Sequence, residues 1–373
     1  MPHGLASDHG AAPLRRLLIR TCDTDTLVGI ENRAGVFPIH RGVRFLLATA
    51  TKGRSTDVVR CRFGVHDPNA LERLDGDDPP QSFPISLTPG LLERLSGPDL
   101  QIPELRTAMD LQIAERAVSR HPALGSTEGW GVTFGRELNA TDDRASFTTS
   151  GRGLAVLEGK HLSPFTVAAE RTELRIAASE AARLLGSRPT FGRPRLAFRD
   201  VTSATNRLTL IAAIVPAHCV TTHTVFCLQT QLPAADQWLL CALLNSFVAN
   251  FLVRQRVSSH VTLAMMARLP APRPARESPL ARRLSVCARW LASARSTHRE
   301  NVHANLQALA ALAYEVSADE LRHVLSTFPL VPSNERAAVM RTFERMTTEG
   351  GIYDGPENAA AMLTSRRTRT IDV

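Results

Sequence analysis

Three groups of residues in this chain have the types and spacing to do chemistry. Asp142 or Asp143, followed by Glu158-Gly159-Lys160, has the order of a metal-dependent nuclease: two carboxylates would hold a magnesium ion and the lysine would stabilise the attacking water. The plainer reading is a surface turn followed by a Glu/Lys pair at a strand end, because so short a pattern recurs in many proteins that cut nothing. His218, Cys219, His223 and Cys227 invite a zinc site. Their spacing matches no zinc box, strand alternation would turn His223 and Cys227 the same way only in part, and no metal is expected there. The third group is made of forks, amides and imidazoles: Arg136, Lys160, Arg195, Arg199, Asn206, Arg207, His223, Arg254, Arg256 and His260. Phosphates and base edges need such donors, so these ten are the candidate DNA contacts, with Thr222 beside them on the same rim.

Composition narrows the choice. The net charge is +8 and the isoelectric point about 9.8, with Lys52 and Lys160 the only lysines. The positive sign favours a polyanionic partner; the arginine identity carries less weight, since a GC-rich genome produces the same bias. Aromatics at 5% are too scarce for a single-strand stacking platform to be the main theme. Cysteines 22, 61, 219, 227, 241 and 287 form no CxxC pair and read as reduced thiols. No apolar run reaches membrane-spanning length and no signal-peptide core precedes the first helix, so a cytoplasmic protein is expected. With 373 residues and 43% hydrophobic content, two or three domains with real cores are affordable.

The elements that must carry these groups read as a mixed α/β chain. Residues 1–12 lack periodicity and are expected to be a loose start. A helix from Leu14 leads to an extended Thr26–Glu31, and Val43–Thr51 with Val58–Val65 reads as a hairpin at a sheet edge. Residues 66–104 are a Pro/Asp/Gly-rich connector with a brief helix at Pro89–Leu95, and Met109–Val118 is a helix. Residues 166–193 read as a polar helix and a loop. Leu196–Arg199, Leu208–Val215 and the run VTTHTVFCL give three strands able to lie side by side. From Leu239 to Leu252 apolar residues recur on one face, as in a single buried helix, interrupted by Asn245, Ser246 and Asn250. A second short apolar helix ends at Leu269-Pro270. Four helices follow at Leu280–His298, Val302–Tyr314, Ala318–Ser326 and Asn334–Met346, the third opened by a Ser317/Glu320 capping box. Arg282, Arg283, Arg289, Arg295 and Arg299 recur along the first of these, as a solvated face or a face laid beside a DNA backbone.

Several phrases in this order resemble one family. LLNSFVANFLVR, the Ser/His/Thr turn and the following ARLPAP resemble the segment near the end of TaqI-like specificity domains, the target-recognition modules of adenine-specific restriction-modification methyltransferases. GWGVTFGRELNATDDRASF with GLAVLEGKHLSPF resembles the entry to that module, with Leu157 where an aromatic is common. RLAFRDV and TNRLTLIAAIVP resemble its middle, and YEVSADELRHVLSTFPLVP its tail. IENRAGVFPIHRGVRFLLAT is similar to the closing strands of the methyltransferase domain itself.

The resemblance implies residues 1–66 as the end of a methyltransferase domain, 67–129 as a connector, 130–272 as the DNA specificity domain and 273–373 as a helical region. It implies duplex DNA as partner, Lys160 as a phosphate contact, and flipping of the target adenine by a catalytic domain. The Gly-rich turn for S-adenosylmethionine is not found in this sequence. Asp78-Pro79-Pro80-Gln81 imitates the adenine-holding loop but lacks its aromatic. The chain is therefore expected to bind no cofactor itself and to work with a companion chain that binds S-adenosylmethionine. The rival expectations are a magnesium nuclease using Asp143, Glu158 and Lys160, and a non-catalytic scaffold.

Overall fold

The computed structural model describes residues 1–67, 69, 83–149, 152–186, 190–257, 259–293 and 298–348. Asp78-Pro79-Pro80-Gln81, Arg295 and the arginines near the C-terminus lie outside them. Twelve α-helices and several small sheets, parallel and antiparallel, make the chain mixed α/β among the described residues. It divides into two compact units where the sequence suggested four segments. One comprises Met1–Thr133, Asp200–Thr209 and Asn250–Ala271; the other Phe134–Arg199, Leu210–Ala249 and Pro272–Val373.

The first unit is built on a sheet of β1 (Cys22–Glu31), β2 (Arg44–Lys52), β3 (Val59–Val65) and β4 (Ile85–Leu87), in the order β2-β1-β3-β4. The expected hairpin between Val43–Thr51 and Val58–Val65 does not form. β1 lies between them, antiparallel to β2 and parallel to β3. Burial explains the arrangement: β1 is buried without a break from Leu27 to Glu31, as a central strand must be, whereas the second half of β2 is exposed and suits an edge. The first residues are not a loose start. Leu5 and Ala6 are buried, the Met1 ammonium donates to Leu46 O at 2.8 Å, and buried Arg15 donates to the carbonyls of Leu5, Asp8 and Asp99. Helix Pro89–Ser96 starts on Thr88, whose hydroxyl accepts the Leu91 N–H. Helix Ala108–Arg120 starts on a capping box in which Thr107 and Asp110 each accept the other's backbone N–H.

The second unit holds a four-stranded antiparallel sheet, order β11-β10-β13-β5, from β5 (Phe134–Gly135), β10 (Arg195–Arg199), β11 (Ala212–Val215) and β13 (Val225–Leu228). Beside it are a three-stranded sheet of β6 (Leu154–Leu157), β9 (Arg175–Ile176) and β12 (Cys219–Thr221), and the hairpin of β7 (Leu162–Ser163) and β8 (Thr166–Val167). The run VTTHTVFCL is thus not one strand. Its first half pairs in parallel with β6 and its second half antiparallel with β10, the change occurring in a turn closed by Val225 N–H to Thr222 O. Alternation of β-branched residues on both sides of the turn hides the break from a sequence reading. Residues 166–193 also carry more than expected, with β8 and β9 preceding helix Ala178–Leu185.

The run expected as one helix over Leu239–Leu252 is two, Ala234–Leu244 and Phe247–Arg254. Asn245 and Ser246 cause the break. The Asn245 amide accepts the Ala212 N–H at 3.1 Å and donates to Ala212 O at 2.8 Å, so it completes the edge of β11 like a further strand residue. Ser246 Oγ accepts the Ala249 N–H and starts the second helix. Gln307, from helix Arg299–Ala313, accepts the Phe247 N–H and donates to Asn245 O, so the groups freed at the break are paired. The C-terminal helices Pro279–Ala292, Ala318–Ser326 and Ser333–Thr348 follow the expected periodicity, and the Ser317/Glu320 capping box is present.

Candidate nucleic-acid interface

In the second unit the turn at Thr222–Thr224 gathers the candidate residues. His223 Nδ1 accepts the Ala140 N–H at 3.1 Å, and Thr224 Oγ1 accepts the Gly159 N–H at 2.9 Å. A Cβ on Gly159 would stand 3.3 Å from Arg199 Cγ and 3.2 Å from Thr224 O, so Arg199 lies against the same turn and any larger residue at 159 would need its neighbours to shift by a few tenths of an ångström. Lys160 follows that glycine and extends into solvent, paired with Glu158 at 2.5 Å. Arg136 is exposed next to β5, its guanidinium carbon 4.9 Å from the Phe226 ring centroid. Phe226, Phe198 and Phe134 contact one another in series beneath it. Four cations or hydrogen-bonding groups, Arg136, Lys160, Arg199 and His223, are thereby carried on strand ends and tight turns of one unit.

Arg195 has a different place. Its side chain is 2% exposed and forms a two-pronged pair with Glu137, Nε to Oε1 and Nη2 to Oε2 both at 2.7 Å, with a further bond to Cys219 O. Glu137 also accepts from the Thr221 N–H, the Thr221 hydroxyl and the Thr190 hydroxyl. Burial opposes the Arg195 charge, but Cys227 and Glu137 hold the guanidinium above its ordinary range. Such a residue cannot reach a duplex. It fixes Glu137 next to Arg136 and Thr221 next to the His223 turn.

The first unit gathers a second set. Asp200–Thr202 pairs its backbone with Ser259–Val261, and His260 Nδ1 lies 3.1 Å from the buried Asp200 carboxylate, which fixes the ring and leaves Nε2 as its outward group. Asn206 Nδ2 donates to Thr202 Oγ1, and Arg207 is exposed beside it. Arg254 is turned inward: it donates to Thr209 Oγ1 at 3.2 Å and to the carbonyls of Asn206 at 2.7 Å and Arg207 at 3.2 Å, and burial pushes its pKa down to about 10. It shapes the loop that carries Asn206 and Arg207. Arg256 is buried and donates to Leu95 O at 2.7 Å, its pKa pushed down to about 10 by burial and by Arg268. It stands apart from the His260 group as an internal cation.

Glu158 is engaged by Lys160 and by the turn at Gly159–His161, while Asp143 accepts the Asn139 N–H at 2.7 Å and Asp142 the Asn139 amide. These carboxylates close local turns. Cys227 Sγ is 3.3 Å from Thr221 Oγ1, and burial pushes its thiol up to about 12; burial raises Cys219 as well. Among the described residues no group of three or more His, Cys, Asp or Glu side chains is placed to hold a metal ion. The sequence reading overlooked Glu137, Asp200 and Thr224, which do the positioning. Asn139-x-Thr-Asp-Asp was a legible turn signal, but nothing local marked Glu137 as the partner of an arginine 58 positions away.

No family model matches the chain, and no curated protein matches it. Among solved structures it is similar to the type IIG restriction endonuclease BpuSI, with 11% identity over 88% of this chain and 47% of that one, at a TM-score of 0.37. It is also similar to the type IIL restriction-modification enzyme MmeI in complex with DNA, with 10% identity over 93% of this chain and 49% of that one, at a TM-score of 0.44. The chain spans about half the length of each. No single helix among the described residues is long and apolar enough to cross a membrane.

Proposed function

We propose that this chain is a cytoplasmic, sequence-specific DNA-binding protein, the target-recognition part of an adenine-specific methyltransferase in a restriction-modification system. The observation that carries this reading is the grouping of Arg136, Lys160, Arg199 and His223 around the 222–224 turn, on a scaffold locked by the buried Glu137–Arg195 pair. Cations there would neutralise phosphates and fix register, while imidazole and guanidinium groups would meet base edges. Asn206, Arg207 and His260 form the second set of candidate contacts. In this reading a companion chain binds S-adenosylmethionine and extrudes the adenine, and this chain holds the duplex for it.

Titrating a labelled duplex with the protein at increasing salt tests the reading. Affinity should fall steeply, with a log–log slope that flattens by about 1 for each phosphate contact removed in Lys160→Ala or Arg199→Ala. A slope that neither variant changes would count against these residues as phosphate contacts.

A further inference from the structure

Among the described residues three arginines are buried: Arg15, Arg195 and Arg256. Arg15 has Asp99 and Asp8 near it and Arg195 is locked to Glu137, whereas the charged neighbour of Arg256 is a second cation, Arg268. Neither Arg256 nor Arg268 pairs with a carboxylate among the described residues. Both meet the end of helix Pro89–Ser96 in the first unit. Arg256 Nη1 donates to Leu95 O at 2.7 Å and Arg268 Nη1 to Ser96 O, so consecutive carbonyls hold the two guanidiniums close together. Gly97, at φ +67°, leaves room for this: a Cβ there would stand 2.2 Å from Arg268 Cζ. Ser96, whose Cα separates the two carbonyls, is 1% exposed, and its hydroxyl has no hydrogen-bond partner among the described residues. The carbonyls of a helix end favour cations, but they amount to about half a negative charge, and two full positive charges share them. The pair is left with excess positive charge in a largely desolvated position, and an anion is what such a site lacks. Arg268 is only half-buried, so the pair is within reach of solvent.

We propose that the Arg256–Arg268 pair at the end of helix Pro89–Ser96 is a binding site for a phosphate group. Each guanidinium gives one N–H to a carbonyl and keeps the rest of its fork, and such forks match phosphate oxygens. The donors come from two separate stretches of chain, with the Ser96 hydroxyl beside them, and a tetrahedral anion has oxygens facing several directions to meet them. A carboxylate is satisfied by a single fork. The phosphate comes either free, as the ion or on a small ester, or from a nucleic-acid backbone. The site stands whether or not the chain reads duplex.

Isothermal titration of the full chain with inorganic phosphate, at an ionic strength held constant with sodium chloride, provides the test. Phosphate should bind at a single site, and acetate should bind about tenfold more weakly or worse. Arg268→Met keeps the apolar stem at a half-buried position, so the fold should survive, and it should weaken phosphate about tenfold or more. Arg268→Lys, which keeps the charge without the fork, should recover only part of the loss. Arg282→Met, at an exposed position in the second unit, should change nothing. A labelled duplex separates the two sources. For a backbone phosphate, inorganic phosphate should compete with the duplex and Arg268→Met should bind it more weakly; for a free phosphate, neither should alter duplex affinity. No phosphate binding by the wild-type chain, equal binding in Arg268→Met, or acetate bound as tightly as phosphate overturns the proposal.

Discussion

At the scale of single residues, the cations of this chain divide by their surroundings. Arg195 and Glu137 are 2% and 1% exposed and hold each other. Removing one partner strands a buried charge, so Glu137→Ala should cost about 3–5 kcal/mol of stability in urea unfolding. Lys160→Ala, which breaks an exposed pair, should change stability by less than about 1 kcal/mol. Equal costs for the two variants would show that Arg195 is not the structural cation described. His161 gives a second test. Burial, then the Lys160 ammonium, holds its imidazole below the ordinary value of 6.5, and its Nδ1 accepts the Glu158 N–H at 2.9 Å, which a protonated ring cannot do. As pH falls through 6.5 the unfolded chain takes the proton first, so stability is lost on the acid side; above 6.5 both states are neutral and the contribution vanishes. The urea midpoint should therefore drop between about pH 7.5 and about pH 5.5. His161→Asn should remove part of that drop, the remainder including His3, also lowered by burial. A midpoint that stays level, or rises, contradicts the assignment.

At the scale of elements, the sequence was most legible where a local signal sufficed. Ser317 with Glu320 caps its helix, and the C-terminal helices keep their apolar period. It was least legible where a side chain takes a remote backbone group. Asn245 sits on an apolar face that reads as continuous helix, and the break depends on partners far away in sequence: Ala212, 33 positions off, and Gln307. The order of β2, β1 and β3 escaped for a related reason: neighbouring strands in sequence are the default partners, and β1 between them is decided by burial across the whole sheet. For the candidate interface, residue types such as Arg199 and His223 were readable, but Arg195 and Arg256 show that an arginine's depth is not. Asn245→Leu should leave the buried Ala212 N–H unpaired, while Ala212 O keeps the Phe165 N–H, and cost about 1–3 kcal/mol in urea unfolding. A change under about 0.5 kcal/mol would mean that the break does not depend on this amide.

At the scale of the whole molecule, a net charge of +8 and candidate contacts in both units argue for a polyanion as partner. In the proposed division of labour bond making belongs to a companion chain, so the isolated protein should transfer no methyl group from S-adenosylmethionine to duplex DNA; labelled methyl incorporation with this protein alone would contradict that. The most direct test of the central claim is selection from a duplex library with a randomised core, using the isolated chain at near-physiological salt. The account predicts enrichment of a single sequence motif, blurred or lost in Arg199→Ala and His223→Ala. Recovery of the library unchanged, or of sequences with no shared motif, would contradict target recognition by this chain.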